Sequence, residues 1–338
     1  MEGFLNFFSK DYQKLDRRKE SYNFIESFIE KNVESWDSPP KTEIIAKQFL
    51  DEISKISKND FAFLVCHTGY IPEDYAPDSS QETLYSKLVE AVVCEWARRI
   101  GFTKSSLPTQ KSSTEDVTIS DGELWIVCDA KSFRLGRSQG APNVKDVLKH
   151  ADISKWLKKY PEDSRVGGIV TFPSQHDWSS GSDFYQYTTD KDLPTMCLYY
   201  EHMAFLILSE IGKAEIINTF QRYGEIFPKI LLKNQQNRDA YYAGIEAALF
   251  GEKIASWREF EALAMLVTSE CALHTYDVLK ARVDFIHAEV AEGFENIKDI
   301  EVLRGMAIEA ESKRRTDGLC KQMDRIKKFR NLLDEYFD

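Results

Sequence analysis

Paired cysteines, membrane-length apolar runs and a basic net charge are all missing from this sequence. The six cysteines are scattered without CxxC spacing, which argues against a disulfide scaffold or a zinc ribbon and favours a reducing cytoplasm. No apolar run approaches the length of a membrane span, and the first residues lack the basic-then-apolar order of a signal peptide. The six histidines form no HxxxH or HxH group, so a histidine-bound zinc site is not expected.

The charges that are present are unevenly spread. A formal net charge of −11 argues against indiscriminate coating of nucleic acid, but phosphate binding needs only a local basic surface. Residues 131–165 contain nine Lys or Arg against four acids, and residues 313–330 contain eight against two. The first patch is placed to bind phosphate. The second fits an amphipathic helix whose charged side faces solvent, although a clamp on a nucleic acid is an alternative.

Helix and strand signals follow one another in three blocks. The first sixty residues have helical spacing with a break at Pro39-Pro40, and a helix over 81–100 has Ser79 or Ser80 as its N-cap. Strands are predicted at 116–119 and 124–133, forming a hairpin, and at 166–172 and 195–200, with a helix over 146–160. The pattern after residue 201 is helical. Two apolar helix faces are expected near the start: Tyr22, Ile25, Phe28 and Ile29, then Ile44, Ile45, Phe49, Ile53 and Ile56.

The sequence therefore predicts an α/β (α+β) fold, a central mixed β-sheet flanked by helices. At 338 residues and 43% apolar content, the chain can bury a large core. We expect an N-terminal helical region over residues 1–58, a core over 59–212 and a C-terminal helical region over 213–338.

One polar group ends a predicted strand. Twelve residues separate Asp116 from Asp129-Ala130-Lys131, which follows the apolar run 124–128. In a strand, Asp129 and Lys131 point to the same face. Two carboxylates can hold Mg²⁺, and an ammonium beside them can orient or deprotonate an attacking water or stabilise developing charge. Spacing alone is equally compatible with an ordinary polar strand end. A similar pattern, an acid followed by Glu-x-Lys, occurs at Asp299 and Glu311-Ser312-Lys313, in a helical stretch where residues i and i+2 do not face one another.

Three groups of residues resemble the HindIII family of type II restriction endonucleases. The resemblance covers roughly residues 60–210, and its most specific part is the seven-residue run 129–135, which is longer than the generic triplet. The groups are Leu64-Val65, Gly69, Pro72-Glu73, Pro77, Ser80-Gln81-Glu82, Leu84 and Ser86-Lys87; then Asp116-Val117, Val127 to Leu135 and Arg137; then, more weakly, Trp156, residues 166–172 and Glu201-His202.

This resemblance implies a PD-(D/E)xK nuclease core and Mg²⁺-dependent cleavage of double-stranded DNA, with Mn²⁺ as a substitute ion. It implies a homodimer without membrane association and a cognate DNA methyltransferase that is not a physical partner. The site would be a short palindrome, AAGCTT as first choice and CATG as an alternative. Asp116 and Asp129 match metal-binding carboxylates, with the Ala130 carbonyl as a further ligand, and Lys131 matches the catalytic lysine.

Other site residues are less clearly defined. Glu82 matches an acidic residue on the helix before the motif, and it also suits the first turn of any helix. Glu90 is a weaker candidate for which a solvated helix acid is favoured. Glu115 stands at the position of the proline that gives the PD-(D/E)xK motif its name, and this proline is often missing. Candidate DNA-binding residues are Arg134, Arg137, Lys87, Asn143, Lys145 and Lys149. His202 is expected to be a helix residue that packs against the rest of the protein. Two rival functions remain: a repair or recombination nuclease that recognises DNA structure, and a non-catalytic DNA-binding helical module.

Overall fold

The predicted order of elements is present in the computed structural model of the chain. The model describes residues 15–38, 41–108, 114–135, 144–179, 188, 193–227, 237–295 and 301–327. Helices lie before and after a small sheet. They are α1 Leu15–Tyr22, α2 Phe24–Asn32, α3 Thr42–Ile53, α4 Lys58–His67, α5 Ser80–Arg99, α6 Val144–Val147, α7 His150–Leu157, α8 Tyr200–Leu208, α9 Lys213–Gln221, α10 Tyr223–Ile226, α11 Arg238–Phe250, α12 Ile254–Phe294 and α13 Glu301–Lys327.

The sheet is mixed, as predicted, with strand order β1-β2-β3-β4. The predicted hairpin is confirmed: β1 and β2 are antiparallel, with Val117 opposite Cys128. β2, β3 and β4 are parallel, and helices lie in the crossover between β2 and β3. β2 stops earlier than the sequence suggested, because its continuation leaves β3. The strands are β1 Val117–Ser120, β2 Trp125–Ala130, β3 Arg165–Phe172 and β4 Thr195–Tyr199.

Two adjacent glycines in β3 allow helices to pack closely on both faces of the sheet. A Cβ at Gly168 would lie 2.5 Å from Ile153 of α7, and a Cβ at Gly167 would lie 2.6 Å from Phe220 of α9. Because successive strand residues point to opposite faces, α7 and α9 cover opposite sides. The sheet is thus enclosed, and its polar chemistry is confined to its edges and strand ends.

The predicted helix faces are largely confirmed. Ile25, Phe28 and Ile29 are buried in α2, but Ile44 is 54% exposed because the buried face of α3 follows Ile45, Phe49 and Ile53 at helical spacing. The Ser79 hydroxyl caps α5 by accepting from the Glu82 N–H at 3.2 Å. One apolar cluster extends from Ile25 to Val267 and so joins both predicted helical regions to the sheet. The domain limits at 58/59 and 212/213 stay a prediction.

The last two helices, α12 and α13, pack against each other. Arg315 of α13 pairs with Glu289 of α12 at 3.2 Å, and Leu279 and Ile326 are buried together with Leu135. Exposed charges on α13 pair within the helix, Arg314 with Glu311 and Lys321 with Asp317. This pairing favours the solvent-facing interpretation of the second basic patch; residues 328–330 and Asp299 lie outside the described residues.

Among the helices of the described ranges, none combines the length and the apolar composition that a membrane span requires.

Two buried glutamates near the start of α8 differ in their partners. Glu246 contacts Arg258 at 2.5 Å and His202 at 3.2 Å, whereas Glu201 has no cationic partner among the described residues and only the neutral Ser174 hydroxyl beside it. Burial raises the pKa of the Glu201 carboxyl to about 8, with Ser174 acting in the opposite direction. His202 is fully buried, which confirms it as a packed helix residue.

We expect Glu201→Gln to stabilise the fold above neutral pH. Between its ordinary pKa of 4.5 and about 8, folded Glu201 keeps a proton that the unfolded chain releases. The free energy of unfolding of the parent therefore falls as pH rises through this window, by about 1.4 kcal/mol per pH unit from this group. Urea denaturation of parent and variant at pH 5, 7 and 9 measures the difference.

Glu246→Gln is the matched control, because it replaces an equally buried glutamate that has a charged partner, Arg258. It should lose stability at all three pH values, since Arg258 loses its buried partner. A stability difference between Glu201→Gln and the parent that does not grow with pH would contradict the assignment of a protonated Glu201.

Candidate active site

The β1–β2 hairpin brings Asp116, Asp129 and Lys131 together at the end of the sheet. Asp116 directly precedes β1, and its N–H donates to the Cys128 carbonyl at 2.9 Å. Asp129 and Lys131 share one face, as the strand period requires, and Lys131 Nζ lies 2.5 Å from Asp129 Oδ1. The hairpin therefore brings Asp116 into one group with Asp129 and Lys131.

The carboxylates of this group are only partly satisfied. Asp116 Oδ2 accepts from the Ala130 N–H at 2.9 Å, which ties the start of β1 to the end of β2. Asp129 is 2% exposed, and its Oδ2 has no hydrogen-bond partner within the described ranges. A buried carboxylate oxygen without a donor is costly. A cation bound between the two aspartates would remove that cost.

A third carboxylate, Glu90 from the middle of α5, faces the two aspartates. Its side chain is 13% exposed and pairs with Lys87 of the same helix. The charge of Glu90 is the largest electrostatic influence of any neighbour on Asp116. The interpretation of Glu90 as a solvated helix acid was therefore wrong: the side chain points inward because α5 packs on β1 and β2.

Burial and crowding of like charges dominate the electrostatics here. Burial raises the pKa of Asp116 to about 8, with the charges of Glu90 and Asp129 adding to the shift and Lys131 opposing it. Burial also raises the pKa of Glu90 to about 7, against the effect of Lys87. A divalent cation bound by these carboxyl groups would take the place of their protons, which would pass to the solvent. The electrostatics of the group therefore favour the binding of a cation.

Glu82 and Arg134 lie together at the N-terminal end of α5, away from Glu90. Arg134 pairs with Glu82 at 3.2 Å and donates to the Pro72 carbonyl at 3.1 Å. Glu82 also accepts from the Asp78 N–H at 2.6 Å. It precedes Glu90 by eight residues, or about 12 Å along the helix axis. The structure brings Glu90 beside Asp116 and holds Glu82 at the helix start, while the role of either residue stays a prediction.

The remaining predicted DNA-binding residues are placed only in part. Lys87 is 22% exposed and lies beside the carboxylate group through its pair with Glu90. Arg137 and Asn143 lie outside the described residues, and Lys145 is placed in α6 only by its backbone. Lys149 is exposed just before α7. Their DNA contacts stay predictions.

Glu115, the residue before Asp116, has a structural role. Its carboxylate accepts hydrogen bonds from the Tyr160 hydroxyl and, at 2.9 Å, from Thr118 Oγ1, with Lys159 Nζ at 3.3 Å. These contacts lower the pKa of Glu115 against the effect of burial. Glu115 thus ties the start of β1 to the segment after α7, and it points away from its neighbour Asp116.

The residues at this edge fit a divalent cation that keeps most of its coordination sphere as water and substrate. No cluster of three or more His, Cys, Asp and Glu side chains with metal-binding geometry occurs in the described part of the chain. Mg²⁺ sites of phosphate-processing proteins, however, commonly use only one or two carboxylates. Asp116, Asp129 and the Ala130 carbonyl supply such a set, and the unpartnered Asp129 Oδ2 is the specific observation in its favour.

Comparison with known proteins identifies the family of the chain. The model of one protein family, described as HindIII restriction endonuclease, matches residues 38–278, well over half of the chain. The chain belongs to the HindIII restriction endonuclease family. This confirms the resemblance found in the sequence.

A curated relative supports the same family. The type II restriction enzyme HindIII of Haemophilus influenzae is 26% identical over 189 residues, which are 56% of this chain and 59% of the relative. The match thus spans less than two thirds of that protein. The family region contains the whole carboxylate group, while α13 lies beyond it.

Proposed function

We propose that the protein is a type II restriction endonuclease that hydrolyses both strands of DNA at a short palindrome with the help of Mg²⁺. The observation that carries this proposal is the assembly of Asp116, Asp129 and Lys131 at one strand end of a HindIII-family chain. The products would carry 5′-phosphate and 3′-hydroxyl ends. Mn²⁺ would substitute for Mg²⁺, because both accept oxygen ligands.

In this mechanism, Asp116 and Asp129 would hold the cation together with the Ala130 carbonyl. When bound, the cation would neutralise charge on the scissile phosphate and lower the pKa of the attacking water. Lys131 is held beside Asp129 by their ion pair, so its ammonium would lie close to a phosphate that approaches a cation on Asp129. There it orients the water and stabilises the charge that develops on the phosphate oxygens. Glu90 adds a third carboxyl group to the wall of the site.

The number of strands to be cut sets the oligomeric state. The described part of one chain holds one such group, and the strands of a duplex run in opposite directions. A homodimer with two-fold symmetry presents one site to each strand of a palindrome. A dimer and a cytoplasmic location are therefore part of the proposal, as is a methyltransferase that protects the host site.

Digestion of a phage genome with the purified protein tests this function. Discrete fragments that appear with Mg²⁺ or Mn²⁺ and vanish with a chelator are expected. A smear would indicate a nuclease that recognises structure or none at all, and intact but retarded DNA would indicate a non-catalytic binder. Run-off sequencing of the cut ends then gives the recognition sequence, tested first against AAGCTT and CATG, and the stagger.

We expect Glu90→Gln to slow cleavage more than Glu82→Gln. The first variant changes the charge beside Asp116, whereas the second disturbs an ion pair with Arg134 at the start of α5. A loss of about 10²-fold at Glu90 would match the removal of one preorganised charge from a catalytic site. Single-turnover cleavage rates of the two isosteric variants decide between them, and a larger loss at Glu82 would return that residue to the catalytic group.

A further inference from the structure

Lys131 lies where the chain leaves the sheet. Its N–H still donates to the Thr171 carbonyl of β3 at 2.8 Å. Two residues later the partner has changed: the Phe133 N–H donates to the Gly69 carbonyl at 2.8 Å, and the Ile71 N–H donates to the Phe133 carbonyl at 2.9 Å. The backbone that carries the proposed catalytic ammonium is therefore a junction between two pairing partners.

The Lys131 carbonyl cannot be satisfied by the strand ladder. In a parallel pair, a residue that donates to residue j accepts from the N–H of residue j+2. For Lys131, which donates to Thr171, that residue is Pro173, and proline has no N–H. A buried carbonyl needs some other donor. The sequence itself thus creates a vacancy in the ladder at the lysine.

The hydroxyl of Tyr200 fills this role. Tyr200, the first residue of α8, is fully buried and donates to the Lys131 carbonyl at 3.0 Å. Its oxygen also accepts from Thr171 Oγ1 at 3.4 Å. Thr171 therefore contacts Lys131 twice, directly through its backbone and indirectly through Tyr200. Both backbone polar groups of Lys131 are held.

Gly69 gives the tyrosine ring its space. Its φ of +89° is unfavourable for other residues, and a Cβ there would lie 2.4 Å from Tyr200 Cε2. The same Cβ would lie 3.1 Å from the Pro173 ring. Gly69, Pro173 and Tyr200 thus form one closely packed unit around the Lys131 junction.

We propose that Tyr200 is a positioning residue that fixes the Lys131 ammonium for catalysis through the Lys131 carbonyl. This inference rests on the proposed nuclease function. The side chain of Lys131 is long, so the place of its ammonium depends on a fixed backbone as well as on the ion pair with Asp129. Small displacements of a catalytic group cost rate steeply, whereas DNA binding draws on many other contacts.

The test compares Tyr200→Phe with Tyr223→Phe. Tyr223 is the matched control: it is also buried, and its hydroxyl donates to the carbonyls of Thr195 and Thr188 at 2.6 and 2.8 Å. Thr195 begins β4, at the opposite end of the parallel strands from Lys131. Each variant removes a buried hydroxyl that donates to a strand-associated carbonyl, so both should melt at a lower temperature than the parent.

Of the two tyrosine variants, only Tyr200→Phe should lose rate. We expect its kcat, per folded molecule at saturating DNA, to fall about 10- to 100-fold. Its Kd for specific DNA should stay within about twofold of the parent value, because the lost interaction acts on the reacting geometry rather than on ground-state binding. Thr171→Val, which removes only the weaker contact to the Tyr200 hydroxyl, should show a smaller loss of kcat in the same direction.

Equal kcat for Tyr200→Phe and Tyr223→Phe would overturn the proposal and leave Tyr200 as a structural residue. If Tyr200→Phe does not fold, an unchanged kcat in Thr171→Val overturns it. The parent enzyme, assayed in parallel, separates this failure from the larger one. A parent that does not cleave DNA refutes the nuclease function and this inference with it, whereas a cleaving parent with unaffected variants refutes the inference alone.

Discussion

Asp129→Ala is expected to abolish DNA cleavage while leaving specific DNA binding measurable. The variant removes the buried carboxylate that contacts Lys131 and whose second oxygen has no partner in the described ranges. Without it, the cation loses a ligand and the lysine loses its anchor, so two contributions to the reaction disappear together. Binding should survive because it depends mainly on phosphate and base contacts elsewhere. Cleavage of a plasmid and fluorescence anisotropy with a labelled duplex measure the two properties.

Asp121→Ala is the matched control for this variant. Asp121 lies on the same hairpin, at its turn, where it pairs with Lys213 at 2.6 Å and accepts from the Leu124 N–H at 2.9 Å. Its loss should lower stability without removing cleavage. Parental cleavage rates in Asp129→Ala would show that the metal assignment is wrong, and equal loss in both aspartate variants would show only that the hairpin had been disrupted.

Local signals were sufficient to predict the elements that hold the site. The Asp121-Gly122 turn between two apolar runs predicted the β1–β2 hairpin, and hairpin register then brings Asp116 next to the end of β2. Ser79 before a helical pattern predicted the start of α5, where its hydroxyl caps Glu82. Each of these predictions depends on residues that are close in sequence. The resemblance to the HindIII family indicated that the pattern is a nuclease site, which spacing alone could not distinguish from an ordinary polar strand end.

What the sequence did not reveal depends on packing between distant segments. Glu90 was ranked below Glu82 because the helical spacing does not show which face of the helix meets the sheet. The composition of the helix does contain one signal: Glu90 is a single acid among Leu88, Val89, Ala91 and Val92, all of which are buried. An acid in such a run is either costly or functional. The end of β2 was similarly unpredictable, because it depends on Pro173 in β3's continuation and on a tyrosine in α8.

The second large effect is expected at Lys131. Lys131→Ala should lower the single-turnover cleavage rate on the order of 10³-fold, because it removes a preorganised positive charge next to the scissile phosphate. Lys131→Arg should recover little of this, since a planar guanidinium does not reproduce a compact ammonium held against Asp129. Quenched-flow cleavage with saturating enzyme measures both variants without interference from product release.

Lys87→Ala is the comparison that makes the result specific. The two lysines are alike in exposure, 23% for Lys131 and 22% for Lys87, and each pairs with an acid of the same group. Lys87, however, reaches the group through Glu90 on α5, whereas Lys131 contacts Asp129 directly. We therefore expect Lys87→Ala to weaken DNA binding and to slow cleavage by about tenfold, as the loss of a phosphate contact would. If Lys87→Ala is as slow as Lys131→Ala, net positive charge near the carboxylates, rather than one positioned ammonium, drives the reaction.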